Sequence, residues 1–291
     1  MTYIGRFAPS PSGPLHFGSL VAALASFCDA KAHQGQWLVR MEDIDPPREM
    51  PKAKQIILQQ LEGFGLHWDG QVLYQSQRLD LYQQQIDTWL SLHQAYACRC
   101  TRKRLKTIQH IYDGYCSDKN LPTENSAIRF VNTSQQTEFT DLIYGKCAFA
   151  AQHCQQDFII KRKDGLIAYQ LAVCLDDVTQ GINHVVRGYD LIDTTIWQHT
   201  LIKQLGGTPP NYAHVPLAFA EDGRKLSKQN GASAIDIKQA PQLLVHALEH
   251  LGLQPPKLLH KESVEQIILW AIEHWQRQKV QNVAVKPPNS V

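Results

Sequence analysis

Apolar and polar positions alternate regularly over the first third of the chain. Residues 3–8 and 37–41 are short apolar runs and predict strands, whereas residues 19–34, 53–64 and 79–93 repeat apolar positions at helical spacing. Short strands separated by amphipathic helices predict a parallel sheet that is covered by helices. The expected fold class is therefore α/β, with a doubly wound parallel sheet.

A different pattern occupies residues 96–157, where the apolar runs are short and cysteines are frequent. We interpret this stretch as an insertion. After it, residues 158–161 and 166–175 flank an Asp-Gly pair at Asp164, which predicts a β-hairpin. Helical periodicity dominates from residue 241 to residue 278. The predicted organisation is a main domain with an insertion and a helical C-terminal region that ends in a disordered tail, with boundaries at 1–95 plus 158–235, 96–157 and 236–291.

Composition and charge narrow the class of protein. Hydrophobic residues make up 43% of the chain and charged residues 19%, as in ordinary globular proteins. A net charge of +2 is too small for a protein that only coats nucleic acid, so any RNA contact must be local. No signal peptide or membrane-spanning run is evident, and the odd number of cysteines argues against a disulfide framework. We expect a reduced, cytoplasmic protein with no membrane partner.

The first candidate for chemistry is the loop that follows the first predicted strand. It leads to His16 and Gly18 at the start of a predicted helix, where free backbone N–H groups and the helix dipole favour a phosphate. His16 can donate to phosphoryl oxygens, and Gly18 allows a nucleotide to approach the backbone. The alternative is an ordinary turn before a helix.

A second candidate lies far along the chain, at Lys225 and Lys228. Two lysines three residues apart can face one polyphosphate and stabilise the charge that develops during phosphoryl or adenylyl transfer. The alternative is a solvated basic loop.

Taken together, the two candidates resemble a known pair of signatures. The run from His16 to Ser19 resembles the HIGH signature of class I aminoacyl-tRNA synthetases, and Lys225-Leu-Ser-Lys228 resembles their KMSKS signature. The sequence between these two signatures resembles the glutamyl branch of that family. The matching runs begin at Arg40, Tyr74, Asp164 and Val186. Ser19 replaces the last HIGH histidine, and KMSKS ends in glutamine, but both lysines are kept.

This resemblance implies a Rossmann-type nucleotide-binding catalytic domain that activates glutamate with Mg²⁺-ATP. It assigns catalysis to His16, Lys225 and Lys228, and ATP binding to His16, Gly18 and Lys228. The glutamate pocket that it implies consists of Arg6, Phe7, Ala8, Pro9, Ser10, Glu42, Tyr169 and Arg187. For Glu42 the alternative is a solvated charge at a strand end, and for Arg187 it is a structural ion pair with Asp190.

The cysteine pattern of the predicted insertion suits a metal. Cys98 and Cys100 form a C-x-C pair, with Cys116 nearby, and zinc favours thiolates. On chemistry alone the fourth ligand stays open among His110, Tyr112, Tyr115 and water. The short glutamyl-Q branch of the family has C-x-C followed by tyrosine and then cysteine four residues on, which implies one Zn²⁺ held by Cys98, Cys100, Tyr112 and Cys116. The alternative is a group of buried thiols without a metal.

The glutamyl-Q branch also implies an acceptor. Its members attach glutamate to the queuosine base in the anticodon of tRNA(Asp), and the short stretch after Lys228 predicts no anticodon-binding domain. ATP, L-glutamate and queuosine-containing tRNA(Asp) are thus the expected partners of a monomer. The competing hypotheses are a short glutamyl-tRNA synthetase that charges a tRNA 3′ end and a non-catalytic RNA-binding paralogue.

Overall fold

The computed structural model describes residues 2–219 and 233–283, and places ten strands and ten α-helices in them. The strands are β1 (Ile4–Phe7), β2 (Gln36–Met41), β3 (Leu73–Tyr74), β4 (Ala95–Cys98), β5 (Ala127–Phe130), β6 (Glu138–Asp141), β7 (Gly145–Ala148), β8 (Phe158–Lys161), β9 (His184–Gly188) and β10 (Asn211–Val215). The helices are α1 (Phe17–Ala32), α2 (Ala53–Gly63), α3 (Leu79–Ser91), α4 (Arg102–Thr107), α5 (Ala151–Gln155), α6 (Tyr169–Thr179), α7 (Ile192–Gln204), α8 (Ala240–His250), α9 (Val264–Glu273) and α10 (Arg277–Val283).

Parallel pairing connects strands that are distant in sequence. One sheet has the order β1-β2-β3, and a second has the order β7-β6-β10-β9, in which β6, β10 and β9 run parallel. Asn183, just before β9, joins the two sheets: its backbone N–H donates to the Ile4 carbonyl at 3.0 Å, and its side-chain oxygen accepts from the Ile4 N–H at 2.8 Å. The predicted α/β class with a parallel sheet is confirmed.

Helices cover both faces of β1 and β2. Successive residues of a strand point to opposite faces, so neighbouring residues of one strand contact different helices. Phe7 and Val39 belong to the same buried core as the apolar residues of α1. Their neighbours Arg6 and Arg40 point the other way and bond to Asp177 of α6. The sheet therefore has an apolar interface with α1 and an ionic contact with α6.

The stretch 96–157 contributes to two sheets. Its strand β5 pairs antiparallel with β4 and β8 in a separate three-stranded sheet. Its strand β6 instead pairs with β10, and β7 pairs with β6. The stretch 96–157 thus connects the three-stranded antiparallel sheet to the sheet that contains β10 and β9.

The hairpin predicted around Asp164 is wrong in its second arm. β8 has the predicted bounds, and Gly165 turns the chain with a φ of +88°. Beyond the turn, only Ile167 pairs back, in an isolated bridge to Lys161, and α6 begins at Tyr169. The run from Leu171 to Leu175 is buried at every position, so its apolar residues fit a buried helix as well as a strand.

The C-terminal region is helical as far as it is described, in α8, α9 and α10. Its end is fixed to α1 by a buried carboxylate: Asp29 accepts hydrogen bonds from both Nε and Nη2 of Arg277, from the Trp275 ring and from Tyr3. The predicted disordered tail lies outside the described residues. Within residues 2–219 and 233–283, no helix is long and apolar enough to cross a membrane.

Candidate active site and cysteine cluster

A cavity of about 540 Å³ opens at the carboxyl ends of the parallel strands. Its walls come from the loop after β1, the start of α1, the end of β2, the start of α6 and the ends of β9 and β10. The carboxyl edge of a parallel sheet is the usual place for a ligand in such folds. The cavity is therefore the candidate active site.

One wall of this cavity is the N-terminus of α1. His16 is its N-cap, and its Nδ1 accepts from the backbone N–H of Ser19 at 3.3 Å. Ala234 forms a bridge to His16, and Ala218 lines the cavity. The described residues on either side of 220–232 thus lie beside this cavity.

Beneath the cavity lies a buried ionic network. Asp177 accepts from Arg6 through Nε at 3.2 Å and Nη2 at 3.4 Å, and from Arg40 through Nη1 at 2.8 Å. Burial raises the pKa of Asp177, but the charges of Arg6 and Arg40 and their hydrogen bonds outweigh it and lower that pKa. Asp177 therefore holds both guanidinium groups in place as a carboxylate.

Glu42 completes this network at the end of β2. Its side chain is only 9% exposed, and its Oε1 lies 3.8 Å from Arg40 Nη2. Burial raises the pKa of Glu42 to about 7, and the charges of Asp177 and Asp176 add to that effect while those of Arg40 and Arg6 oppose it. A cation placed next to Glu42 would favour its ionised form.

Arg187 also lines this cavity, and it is surrounded by neutral hydrogen-bond acceptors. Its Nη1 donates to the Tyr169 hydroxyl at 3.4 Å and to Gln198 Oε1 at 2.8 Å. Burial raises the pKa of Tyr169, so this phenol keeps its proton. Because its oxygen accepts from Arg187, the Tyr169 hydroxyl can donate to a ligand, and the pair suits an anionic group.

The three predicted thiol ligands converge away from the cavity. The Sγ atoms of Cys98, Cys100 and Cys116 all lie within 4.8 Å of one another, with Cys100 and Cys116 3.6 Å apart. Sulfur ligands at 2.3 Å from a tetrahedral zinc are about 3.8 Å apart. The Tyr112 hydroxyl lies 3.6 Å from Cys98 Sγ and is buried, whereas His110 is exposed. The cluster could therefore bind zinc, with Tyr112 beside it.

The environment of Cys98 favours a thiolate. Burial raises the pKa of its thiol, but hydrogen bonds from the Cys100 backbone N–H and from Arg129 outweigh burial and lower it. Arg129 Nε lies 3.4 Å from Cys98 Sγ, and its guanidinium stacks on the Tyr112 ring at 3.6 Å. A cation held against the cluster is the environment in which a thiolate forms most readily.

Several known proteins are similar to this chain in sequence or in fold. Residues 4–284 match the model for the catalytic domain of class I tRNA synthetases (E and Q). Proteins named glutamyl-Q tRNA(Asp) synthetase from Vibrio vulnificus (strain CMCP6) and Escherichia coli (strain K12 / MC4100 / BW2952) are 52% and 48% identical. The matches cover 94% and 97% of this chain and 90% and 92% of those proteins.

The chain belongs to the class I tRNA synthetase (E and Q) family. Its fold is also similar to that of a glutamate tRNA ligase from Elizabethkingia meningosepticum, with a TM-score of 0.77 at 24% identity. That match covers 96% of this synthetase and 66% of the ligase, so the chain spans about two thirds of the ligase's length. Membership of the family makes the chain an enzyme of the ligase class.

With the family established, the predicted site residues can be placed. Every described residue that is predicted to contact glutamate or ATP lines this cavity. These residues are Arg6, Phe7, Ala8, Pro9, Ser10, His16, Gly18, Glu42, Tyr169 and Arg187. Lys225 and Lys228 lie outside the described residues. Their roles therefore remain predictions.

Two groups that contact site residues were missed in the sequence: Asp177 accepts from Arg6, and His214 Nε2 lies 3.1 Å from Arg187 Nε. Asp177 has an adjacent carboxylate, Asp176, inside an otherwise apolar run, and a buried carboxylate usually has a charged partner, so this pair was a detectable signal. His214 lies between Ala213 and Val215 in β10, and nothing in that pattern separates it from an ordinary core residue.

Proposed function

We propose that this synthetase activates glutamate as glutamyl-adenylate and transfers it to the queuosine base of tRNA(Asp). The observation that carries the first half is the cavity itself, which places the carboxylate of Glu42, the Arg187–Tyr169 pair and a capped helix N-terminus around one space. The acceptor is suggested by the names of the relatives that are 52% and 48% identical to this chain.

The two ends of glutamate fit opposite charges in the cavity. Glu42 would accept the α-ammonium group, which needs an anionic partner in a buried place. Arg187 and Tyr169 would bind a carboxylate, together with Arg6, whose Nη1 is not used in the pair with Asp177. Phe7, Ala8, Pro9 and Ser10 would shape the wall between them.

ATP would bind at the start of α1. His16 and the helix N-terminus would face its phosphates, Gly18 would contact the nucleotide, and Mg²⁺ would accompany ATP and neutralise phosphate charge. A glutamate α-carboxylate oxygen attacks the α-phosphorus, the bond to the β-phosphate oxygen breaks, and pyrophosphate leaves. Lys225 and Lys228 would stabilise the extra negative charge of that transition state.

In the second step, a hydroxyl of the acceptor base attacks the activated carbonyl carbon. The bond from that carbon to the phosphate oxygen breaks, AMP leaves, and the hydroxyl proton passes to water. Such a base must be unstacked to enter a cavity, and the single-stranded anticodon loop presents bases in this form.

For the cysteine cluster we propose one structural zinc ion. Cys98, Cys100 and Cys116 would supply three thiolates and Tyr112 the fourth donor. Burial raises the pKa of the Tyr112 hydroxyl, with the Cys98 hydrogen bond adding to it, so the metal's charge would have to promote its ionisation. The zinc would fix the fold between β4 and β5.

The purified protein is expected to contain about one zinc per chain. Cys98→Ser and Cys100→Ser should lose it, because each removes a thiolate, while Cys147→Ser is the matched control at a cysteine outside the cluster. Atomic absorption measures the metal. Tyr112→Phe tests whether the fourth ligand is the phenol or a water molecule. If the phenol binds zinc, the variant should lose zinc to a chelator faster than the unchanged protein does. If water is the ligand, the two proteins should retain zinc equally. Rapid titration of all three thiols in the untreated protein would contradict the site.

Activity should depend on pH through Glu42. Only the ionised carboxylate can hold an ammonium group, and its pKa in the free enzyme is raised to about 7. The kcat/KM for glutamate should therefore fall as the pH drops from about 8 to about 6, whereas kcat at saturating glutamate should change less, because bound ammonium keeps Glu42 ionised. Pyrophosphate exchange across this range measures both. A flat kcat/KM would mean that Glu42 does not titrate in binding.

The acceptor is tested with tRNA from cells that make queuosine and from cells that do not. Radiolabelled glutamate should enter only the first pool, in tRNA(Asp), and the label should survive removal of the 3′-terminal adenosine. Pyrophosphate exchange without tRNA tests activation separately. Equal labelling of both pools, or label lost with the terminal adenosine, would identify a synthetase that charges the 3′ end. Absent exchange would point to a non-catalytic RNA-binding paralogue.

A further inference from the structure

All five N–H groups of Arg187 have an acceptor in the protein. Tyr169 and Gln198 face Nη1, as described above. The other three donors use Thr195 Oγ1 at 2.8 Å and the Leu191 carbonyl at 3.3 Å, both at Nη2, and His214 Nε2, 3.1 Å from Nε. A side chain held at every donor has one orientation.

The His214 contact depends on which ring nitrogen carries the proton. Its Nδ1 lies 2.7 Å from Asp141 Oδ2, which also accepts the His214 backbone N–H at 3.1 Å. The other Asp141 oxygen accepts the backbone N–H groups of Ile143 and Tyr144, both at 2.9 Å. A carboxylate that only accepts requires the proton on Nδ1, which leaves Nε2 as an acceptor for Arg187.

The ring must also stay neutral for this arrangement. His214 is fully buried, and burial lowers its pKa to about 4, although the hydrogen bond to Asp141 acts in the opposite direction. Near neutral pH the ring therefore has one proton, and Asp141 determines its position. A protonated Nε2 would instead point an N–H at the N–H of Arg187.

We propose that Asp141 and His214 are positioning residues that hold Arg187 in the orientation in which it fixes the Tyr169 hydroxyl and places its charge beside the carboxylate of the amino acid. This inference rests on the proposed function, because it takes the Arg187–Tyr169 pair as the carboxylate site. Asp141 ends β6, within the stretch 96–157, and pairs with Tyr212 of β10. The Asp141–His214 pair thus connects the stretch 96–157 to amino acid binding through Arg187, although Asp141 itself does not contact the substrate.

Two substitutions of His214 separate positioning from packing. In His214→Asn the amide can replace Nδ1 as donor to Asp141, but no atom reaches the position of Nε2. In His214→Gln the side-chain oxygen can reach that position and accept from Arg187. Because an unmade hydrogen bond to a charged group has a large effect, His214→Asn should raise the KM for glutamate at least about tenfold, and His214→Gln less than about threefold. The KM for ATP should not change in either.

Asp141→Asn provides a test of the proton's position. Its amide would donate to Nδ1 and move the ring proton to Nε2, so the KM for glutamate should rise as in His214→Asn. Nitrogen NMR of ¹⁵N-histidine-labelled protein, assigned by comparison with His214→Gln, should show the Nδ1–H form in the natural protein and the Nε2–H form in Asp141→Asn. This readout needs no substrate, so it stands apart from failure of glutamate activation. An Nε2–H form in the natural protein, equal KM changes in both His214 variants, or a parallel rise in the KM for ATP would overturn the proposal.

Discussion

Glu42→Gln is expected to lower the kcat/KM for glutamate in pyrophosphate exchange by about 10²–10³-fold. It removes one partner of the buried charge pair between the Glu42 carboxylate and the α-ammonium group of glutamate. The amide has the shape of the carboxylate but cannot neutralise an ammonium group. It also leaves Arg40, whose nearest atom is 3.8 Å from Glu42, with one anionic neighbour fewer. The loss should fall on amino acid binding, since Glu42 is assigned no contact with ATP.

The matched control is Glu49→Gln. Glu49 is partly exposed, pairs with Lys54 at 3.6 Å and does not line the cavity. Exposed pairs of this kind contribute little, so its exchange rate should stay close to that of the unchanged protein. A Glu42→Gln enzyme with an ordinary kcat/KM would return Glu42 to the role of a structural charge beside Arg40.

Asp177→Ala is expected to destabilise the protein by about 3–5 kcal/mol, because it leaves two buried guanidinium groups without their shared carboxylate. The side chains of Asp177, Arg6 and Arg40 are 3%, 4% and 0% exposed. Water therefore cannot replace the lost partner. Urea unfolding at neutral pH measures the change in the free energy of unfolding.

Asp164→Ala is the control for this substitution. Asp164 also pairs with an arginine, Arg162, but its side chain is 49% exposed. Its removal should change the free energy of unfolding by about 1 kcal/mol or less. If the two variants unfolded at the same urea concentration, the buried network would not be the stabilising contact that its geometry indicates.

Much of the local structure could be predicted from the sequence. α2 and α3 begin at the predicted residues, and β8 has the predicted bounds, because periodicity and turn residues act over a few positions. The cluster of Cys98, Cys100 and Cys116 could be predicted as well, since C-x-C spacing already brings two sulfurs together. The second arm of the hairpin could not, because the run from Leu171 to Leu175 is buried at every position and contains none of the polar positions that would mark a helix.

The sequence by itself determined the α/β class, the family resemblance and ten of the residues that line the cavity. It did so because these signals are short runs of neighbouring residues. Only the tertiary structure decided how those residues are held. Asp177 meets Arg6 across 171 positions and Arg40 across 137, and Asp141 meets His214 across 73. No local pattern encodes such pairs, because parallel strands are joined through long connections and their side chains meet only after the sheet has formed.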